Sequence, residues 1–330
     1  MSTSSAPNAK VIESISKIIV MHPTLSNAIS AIEESILQSP HRSEPINTLI
    51  VGHSGCGKST LCDVIAEKHP EEDREYKLGC RRYQPILMTS LPSPVTPKSL
   101  ASAMLRALGQ YNCELGTTMT LTHRLTEALK ECGVILVVLD EFQHLYSVGA
   151  ARNGSACRPL REVQDWIKSL LNKTKIPIVL VGMPDCESLV DSEPQISRRF
   201  PNVFRLSPFD MQEDGGKKFA TFAEGLAIEI GKVVPGIRDF VDFEKAEYQN
   251  AYRLCAATDG NPAAVKALLL NATLAAVARR QGGVSLKLLS ETYMGPGGAN
   301  GRKITNRYPG DPFADSIDAV KTFILSKQAA

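Results

Sequence analysis

Residues Gly52–Thr60 read Gly-His-Ser-Gly-Cys-Gly-Lys-Ser-Thr, between the β-rich stretch Pro45–Val51 and the segment Thr60–Lys68, whose apolar residues recur at helical spacing. Strand, glycine loop and helix in that order form the phosphate loop of nucleotide-binding α/β proteins. The glycines let the backbone curl until several N–H groups converge on a phosphate, and the helix that follows adds the positive end of its dipole. Gly52, His53, Ser54, Gly55, Cys56, Gly57, Lys58, Ser59 and Thr60 are therefore the expected nucleotide cradle. Lys58 is expected at the β- and γ-phosphates and Ser59 on Mg²⁺, while Thr60 packs or caps.

A second segment completes such a site. Val134–Glu141 reads V-I-L-V-V-L-D-E, an apolar run ending in two carboxylates. A strand of this composition delivers Asp140 towards Mg²⁺ and Glu141 towards the water that attacks the γ-phosphate. Two acids at a strand end also describe a solvated turn, a reading the upstream phosphate loop weakens. Ile86–Thr89 is expected to supply the strand inserted between these two. Hydrolysis further needs positive charge on the γ-phosphate, for which Arg198 and Arg199, just before the last strand, are candidates as a finger offered to a neighbouring subunit. A solvated helix end fits the same doublet, and Arg198 is only slightly favoured. The expected catalytic set is Glu141, Lys58, Arg198 and Arg199.

Working outward, Pro177–Val181 and Val203–Leu206 read as further strands, and Lys98–Leu108, Thr120–Cys132 and Leu160–Lys173 as helices. Strands and helices alternating at this interval predict an α/β fold with a parallel five-stranded sheet flanked by helices. Beyond Pro208 the periodicity becomes helical, over roughly 214–230, 243–257, 262–280 and 285–293, which predicts a small all-α lid. The expected organisation is an N-terminal tail with short helices at 1–44, the α/β core at 45–208, the lid at 209–293, and a flexible linker with a partner-binding tail at 294–330. Within the last segment, Gly295–Pro312 is rich in Gly, Pro, Asn and Arg, Ala314–Ser326 is expected to form one short terminal helix, and the whole is expected to bury little.

At 330 residues the chain exceeds what one core usually holds. Its 43% hydrophobic and 22% charged content fits a globular protein. No apolar run approaches the roughly 18–20 residues of a membrane span. Met1–Lys10 lacks the apolar core of a secretory signal, so the expected location is the cytoplasm. Eight cysteines without a C-x-x-C pair or a Cys/His cluster read as reduced thiols. A net charge of +2 leaves a polyanionic partner open. No L-S-G-G-Q stretch occurs, which sets ABC transporters aside.

Four motifs together resemble the AAA+ superfamily and, more narrowly, the TniB/TnsC group of transposition regulators, with a role like that of MuB: G-H-S-G-C-G-K-S-T at 52–60, L-D-E-F-Q-H-L at 139–145, I-P-I-V-L-V-G-M-P at 176–184 and R-R-F at 198–200. The resemblance spans most of residues 20–290. It implies an AAA+ ATPase using ATP and Mg²⁺ that assembles as a homo-oligomer or helical filament on double-stranded DNA. It also implies that the chain links a target-selection factor to a transposase, with hydrolysis driving disassembly. DNA phosphates would be met by Lys98, Arg106, Thr117, Thr118 and Arg124, with Arg152 and Arg158 as a second set; for each, a solvated helix face is the plain alternative. Two positions depart from the superfamily pattern. Gly182-Met183 stands where a polar sensor is common, and Ala263 replaces a lid arginine, with Lys266 one turn on as a weak substitute. Slow turnover is the expected result. An AAA+ ATPase of another process, of loader or secretion type, and an ATP-binding scaffold with little turnover are the alternatives.

Overall fold

Five strands of five residues each pair in parallel: β1 (Thr48–Gly52), β4 (Ile86–Ser90), β5 (Leu136–Asp140), β6 (Ile178–Gly182) and β7 (Asn202–Leu206), in the order β4-β5-β6-β1-β7. This is a computed structural model, which describes residues 5–76, 79–145, 158–191, 194–295 and 308–328. Register is set by Thr48 opposite Val179 and Asn202, Val137 opposite Ile178, and Ile86 opposite Leu136. β1 and β6 are buried along their whole length, as their unbroken Val/Ile/Leu composition requires of central parallel strands.

The strand lying between the two motif strands β1 and β5 is β6, which corrects the expectation that Ile86–Thr89 takes that place. β4 is an edge strand paired with β5 alone. Its outer half, Met88 to Ser90, is no longer buried, whereas β6 is apolar throughout. Chain order could not supply this, because parallel strands are joined by crossovers that skip neighbours.

The chain divides into two units, Pro23–Leu206 and Met1–His22 with Ser207–Ala330. In the first, strand residues alternate between two apolar layers. Leu49, Leu87, Val137, Leu139 and Leu180 face the helices α4 (Pro97–Ala107), α5 (Thr118–Glu131) and Arg158–Thr174. Ile50, Val138, Val179 and Val181 face α2 (Pro23–Gln38) and α3 (Lys58–Lys68). α2 presents Leu25, Ile29 and Ile32 at spacings of four and three. α4 opens with a reciprocal Thr96/Ser99 capping box, and the Trp166 indole N–H donates to Thr122 Oγ1 at 2.9 Å. An antiparallel hairpin, β2 (Glu72–Tyr76) with β3 (Gly79–Tyr83), was not expected, since its charged residues carry no apolar alternation. Arg74 instead lies over the Tyr83 ring, 3.5 Å from its centre.

The second unit is built on α1 (Ser5–Ser16) and the helices Lys217–Val233, Lys245–Thr258, Pro262–Ala278, Leu286–Met294 and Ile317–Gln328. Ile15, Phe219, Phe243, Leu254, Leu269 and Leu289 are in its core. A two-residue parallel pairing, Asp239–Phe240 with Gly283–Val284, adds a small strand element to the expected helices. Residues 308–328 bury more than their composition suggests: Phe313, Val320 and Ile324 belong to the core, and Arg253 donates to the carbonyls of Pro312 and Asp315 at 2.6 and 2.8 Å. The expectation that this end of the chain buries little is corrected: a short terminal helix is present at Ile317–Gln328, and it places Val320 and Ile324, one turn apart, in the core. Among the described residues, no single helix is long and apolar enough to cross a membrane.

Candidate nucleotide site

The C-terminal ends of β5, β6 and β1 lie side by side, where open parallel sheets bind ligands. β1 delivers Gly52 against β7 so closely that a Cβ there would meet the Leu206 carbonyl oxygen at 2.4 Å. Gly55 and Gly57 take φ of 81° and 96°, the left-handed region that favours glycine, and so turn the loop into α3. Nothing lies within 4 Å of where a Gly57 Cβ would stand, so the cradle is open at the helix start. The Lys58 ammonium donates to the loop's own carbonyls, Gly52 O at 2.6 Å and His53 O at 3.0 Å, bonds that phosphate oxygens can replace. His53, Ser54 and Ser59 are exposed, and Gly55 and Thr60 are half-buried. These residues fit a nucleotide phosphate chain with its Mg²⁺. Cys56 is buried, and burial raises its thiol pKa, which suits packing beneath the loop and not chemistry.

Asp140 closes β5, and its Oδ1 accepts the Glu141 N–H at 2.7 Å. Glu141 is exposed, with φ of 58°, an uncommon left-handed conformation for a residue other than glycine, of the kind found where a site stores strain. Immediately after it, the Phe142 N–H bonds to Val181 O at 2.9 Å and ties the segment to β6. Burial pushes the Cys62 thiol on α3 up to about 12, and the charge of Asp140 adds to that rise. Burial likewise pushes Cys186 up to about 11, with Glu141 raising and Lys58 lowering it.

The sequence favours Arg198 over Arg199 only slightly, and their surroundings differ. The Arg199 side chain is 10% exposed and donates to Asn172 Oδ1 at 3.0 Å and Glu44 Oε1 at 3.2 Å. Arg198 is 74% exposed, with Glu44 at 3.5 Å as its ion-pair partner. Asn47, buried at the foot of β1, holds the same corner: its amide donates to Arg199 O and its carbonyl oxygen accepts from Ile178 N–H, each at 2.8 Å. Glu44 and Asn47 went unnoticed in the sequence, where a lone Glu and Asn before a strand carry no signal.

Lys98, Arg106, Thr117, Thr118 and Arg124 come together on α4, α5 and their connection. Lys98 is exposed on the first turn of α4. Arg106 pairs with Glu114 at 2.6 Å, and Arg124 donates to the carbonyls of Tyr111 and Asn112 at 2.6 and 3.0 Å. Thr117 caps α5 by accepting the Thr120 N–H at 3.2 Å, and Thr118 opens that helix. Arg152 and the Arg158 side chain lie outside the described residues. In the helical unit, Ala263 follows the Asn261 cap, and Lys266 donates to the carbonyls of Ser16 and Ile18 at 2.6 and 2.7 Å. Lys266 therefore holds the end of α1, and burial lowers its pKa, which corrects its reading as a substitute phosphate sensor.

A family model described as "Bacterial TniB protein" matches residues 13–211. No curated protein matches the chain. Among solved structures, the chain is similar to the Aeropyrum pernix ORC2 protein in ADPNP–ADP complexes, with a TM-score of 0.57, 15% identity, and coverage of 84% of this chain and 70% of that one. It is also similar to the A. pernix ORC1 protein in complex with DNA, with a TM-score of 0.51, 18% identity, and coverage of 83% and 65%. CDC6p from Pyrobaculum aerophilum gives a TM-score of 0.51 at 14% identity, covering 84% and 68%. At such identities the likeness is one of fold, the AAA+ P-loop arrangement followed by helices.

Proposed function

The chain belongs to the bacterial TniB family, and on that premise we propose that it is an ATP-hydrolysing regulator of transposition that assembles on target DNA. The observation carrying this reading is that the Lys58 loop and the Asp140–Glu141 pair stand at the C-terminal edges of strands separated only by β6. Lys58 exchanges the carbonyls of Gly52 and His53 for β- and γ-phosphate oxygens. Ser59 and Asp140 hold Mg²⁺, which when bound draws charge from those oxygens. Glu141 orients a water and accepts its proton as the water oxygen bonds to the γ-phosphorus and the bond to the β–γ bridging oxygen breaks, leaving ADP and phosphate. Arg198 of a neighbouring copy neutralises the developing charge, so the nucleotide is shared between subunits. Loss of the γ-phosphate then loosens that contact and releases the assembly.

Duplex DNA is held through its phosphates by the α4–α5 region, where Lys98 is exposed on the first turn of α4 and Thr118 opens α5. The ORC1 neighbour solved with DNA and the ORC2 neighbour solved with adenine nucleotides support this pairing of ligands. A transposase and a target-selection factor are the further partners, and the cytoplasm is the location. Turnover is slow, since Ala263 offers no charge and Lys266 is committed to α1.

Electron microscopy of the protein with duplex DNA and ATP tests the reading. Wild type should form assemblies that decay as ATP is consumed, Glu141→Gln assemblies that persist, and Lys58→Ala none. Assemblies of Lys58→Ala matching the wild type would overturn it.

A further inference from the structure

In the L-D-E-F-Q-H-L motif, Gln143 is a polar side chain to which the chemistry above gives no task. Gln143 Oε1 accepts the backbone N–H of Met183 at 3.2 Å, and its Nε2 donates to the Glu141 carboxylate. The orientation of the amide follows from its partners. A backbone N–H can only donate, so the amide oxygen faces Met183 and the NH₂ is left for the carboxylate. Gly182 makes room for this bridge, since a Cβ at 182 would stand 3.1 Å from Gln143 Oε1 and 2.5 Å from Cys186 Sγ.

Resting on the ATPase reading, we propose that Gln143 is the positioning residue for Glu141, supplying from the segment just after β5 the polar group that Gly182-Met183 cannot supply at the end of β6. The Glu141 backbone is fixed in its left-handed conformation by its N–H bond to Asp140 Oδ1. That leaves the carboxylate to swing about its side-chain torsions, and the Gln143 amide removes this freedom by anchoring it to the end of β6. The same strand end leads through the Cys186–Asp191 and Pro194–Ser197 helices to Arg198. Gln143 thus links the carboxylate that orients water to the segment that presents the finger. The apparent gap at the sensor position and the unassigned glutamine of the motif are two halves of one contact.

The test uses the full chain with duplex DNA and compares Gln143→Ala and the similarly sized Gln143→Met with Glu141→Gln. Misplacing a catalytic group by about an ångström costs roughly 100-fold. Both Gln143 variants should therefore lose about 10- to 100-fold in kcat, with KM for ATP and the affinity for a fluorescent ATP analogue unchanged. In the Glu141→Gln background, neither should lower the residual rate further, because the residue acts through Glu141. Wild-type kcat in both variants, a parallel rise in KM, or multiplying losses in the double variant would each overturn the proposal and leave the ATPase reading standing. A wild-type chain that does not hydrolyse ATP would remove both.

Discussion

Arg198 and Arg199 are adjacent in sequence and opposite in consequence. Replacing Arg199 by Ala removes two hydrogen bonds from a side chain that is 10% exposed, takes the donor from Asn172 Oδ1, and leaves Glu44 Oε1 with only the longer ion pair to Arg198. Hydrogen bonds of a charged group are worth about 1.5–3 kcal/mol each. Glu44 is 41% exposed and can recover water, so the total is set at about 2–4 kcal/mol. For a unit of this size, that lowers Tm by about 5–15 °C. Replacing Arg198 removes a 74%-exposed side chain whose ion pair with Glu44 is worth about 0–1 kcal/mol. Its Tm should stay within about 4 °C of wild type, while ATPase activity measured with DNA present falls by about 10³-fold, the usual contribution of a finger. Scanning fluorimetry and a phosphate-release assay on both variants measure all four quantities. A stable Arg199→Ala protein, or an Arg198→Ala protein that hydrolyses ATP normally, would refute the assignment.

Three further outcomes are expected. DNA affinity should fall steeply between about 50 and 200 mM salt, and Lys98→Ala should reduce the slope of log K against log salt by about one, whatever the DNA sequence; titrations at four salt concentrations measure this. Phe313→Ala should destabilise the helical unit by about 3–5 kcal/mol in denaturant melts, because the ring is part of its core; a tail that buries little would show no change. His22 packs edge-on to Phe209 and Phe222, and burial lowers its pKa. Between the folded pKa and the usual value of about 6.5, the unfolded chain therefore holds the extra proton. Acidification through that window should cost stability, with the loss complete below the folded pKa, and His22→Gln should flatten the dependence of Tm on pH between 7.5 and 5; parallel curves would contradict this.

The parts of the site that are legible in the sequence are those whose chemistry is local. A glycine loop needs its residues consecutive, and two acids after an apolar run announce themselves, so Lys58, Ser59, Asp140 and Glu141 can be read directly. What depends on neighbours across the sheet cannot. The place of β6 between β1 and β5 follows from crossovers, and the different fates of Arg198 and Arg199 follow from Glu44 and Asn172, over a hundred and about two dozen positions away. Gln143 stood in a quoted motif, but its role appears only when the end of β6 comes alongside. Lys266 looked available because nothing in its own helix reveals that α1 ends beside it. The hairpin at 72–83 escaped because charged strands lack the alternation by which strands are recognised.

Asn47 bonds at once to the start of β6 and to the carbonyl of Arg199, and one residue later begins the strand that ends in the phosphate loop. The two ends of the proposed intersubunit contact, Arg198 and the Lys58 loop, lie in the same compact unit, Pro23–Leu206, with Asn47 between them in the hydrogen-bonding scheme. In an array made by repeating that contact, the step from one copy to the next is the vector between those two points within one chain. The spacing of copies in such an array would then depend on the fold of one subunit, with Asn47 among the residues that hold its two contact ends in place.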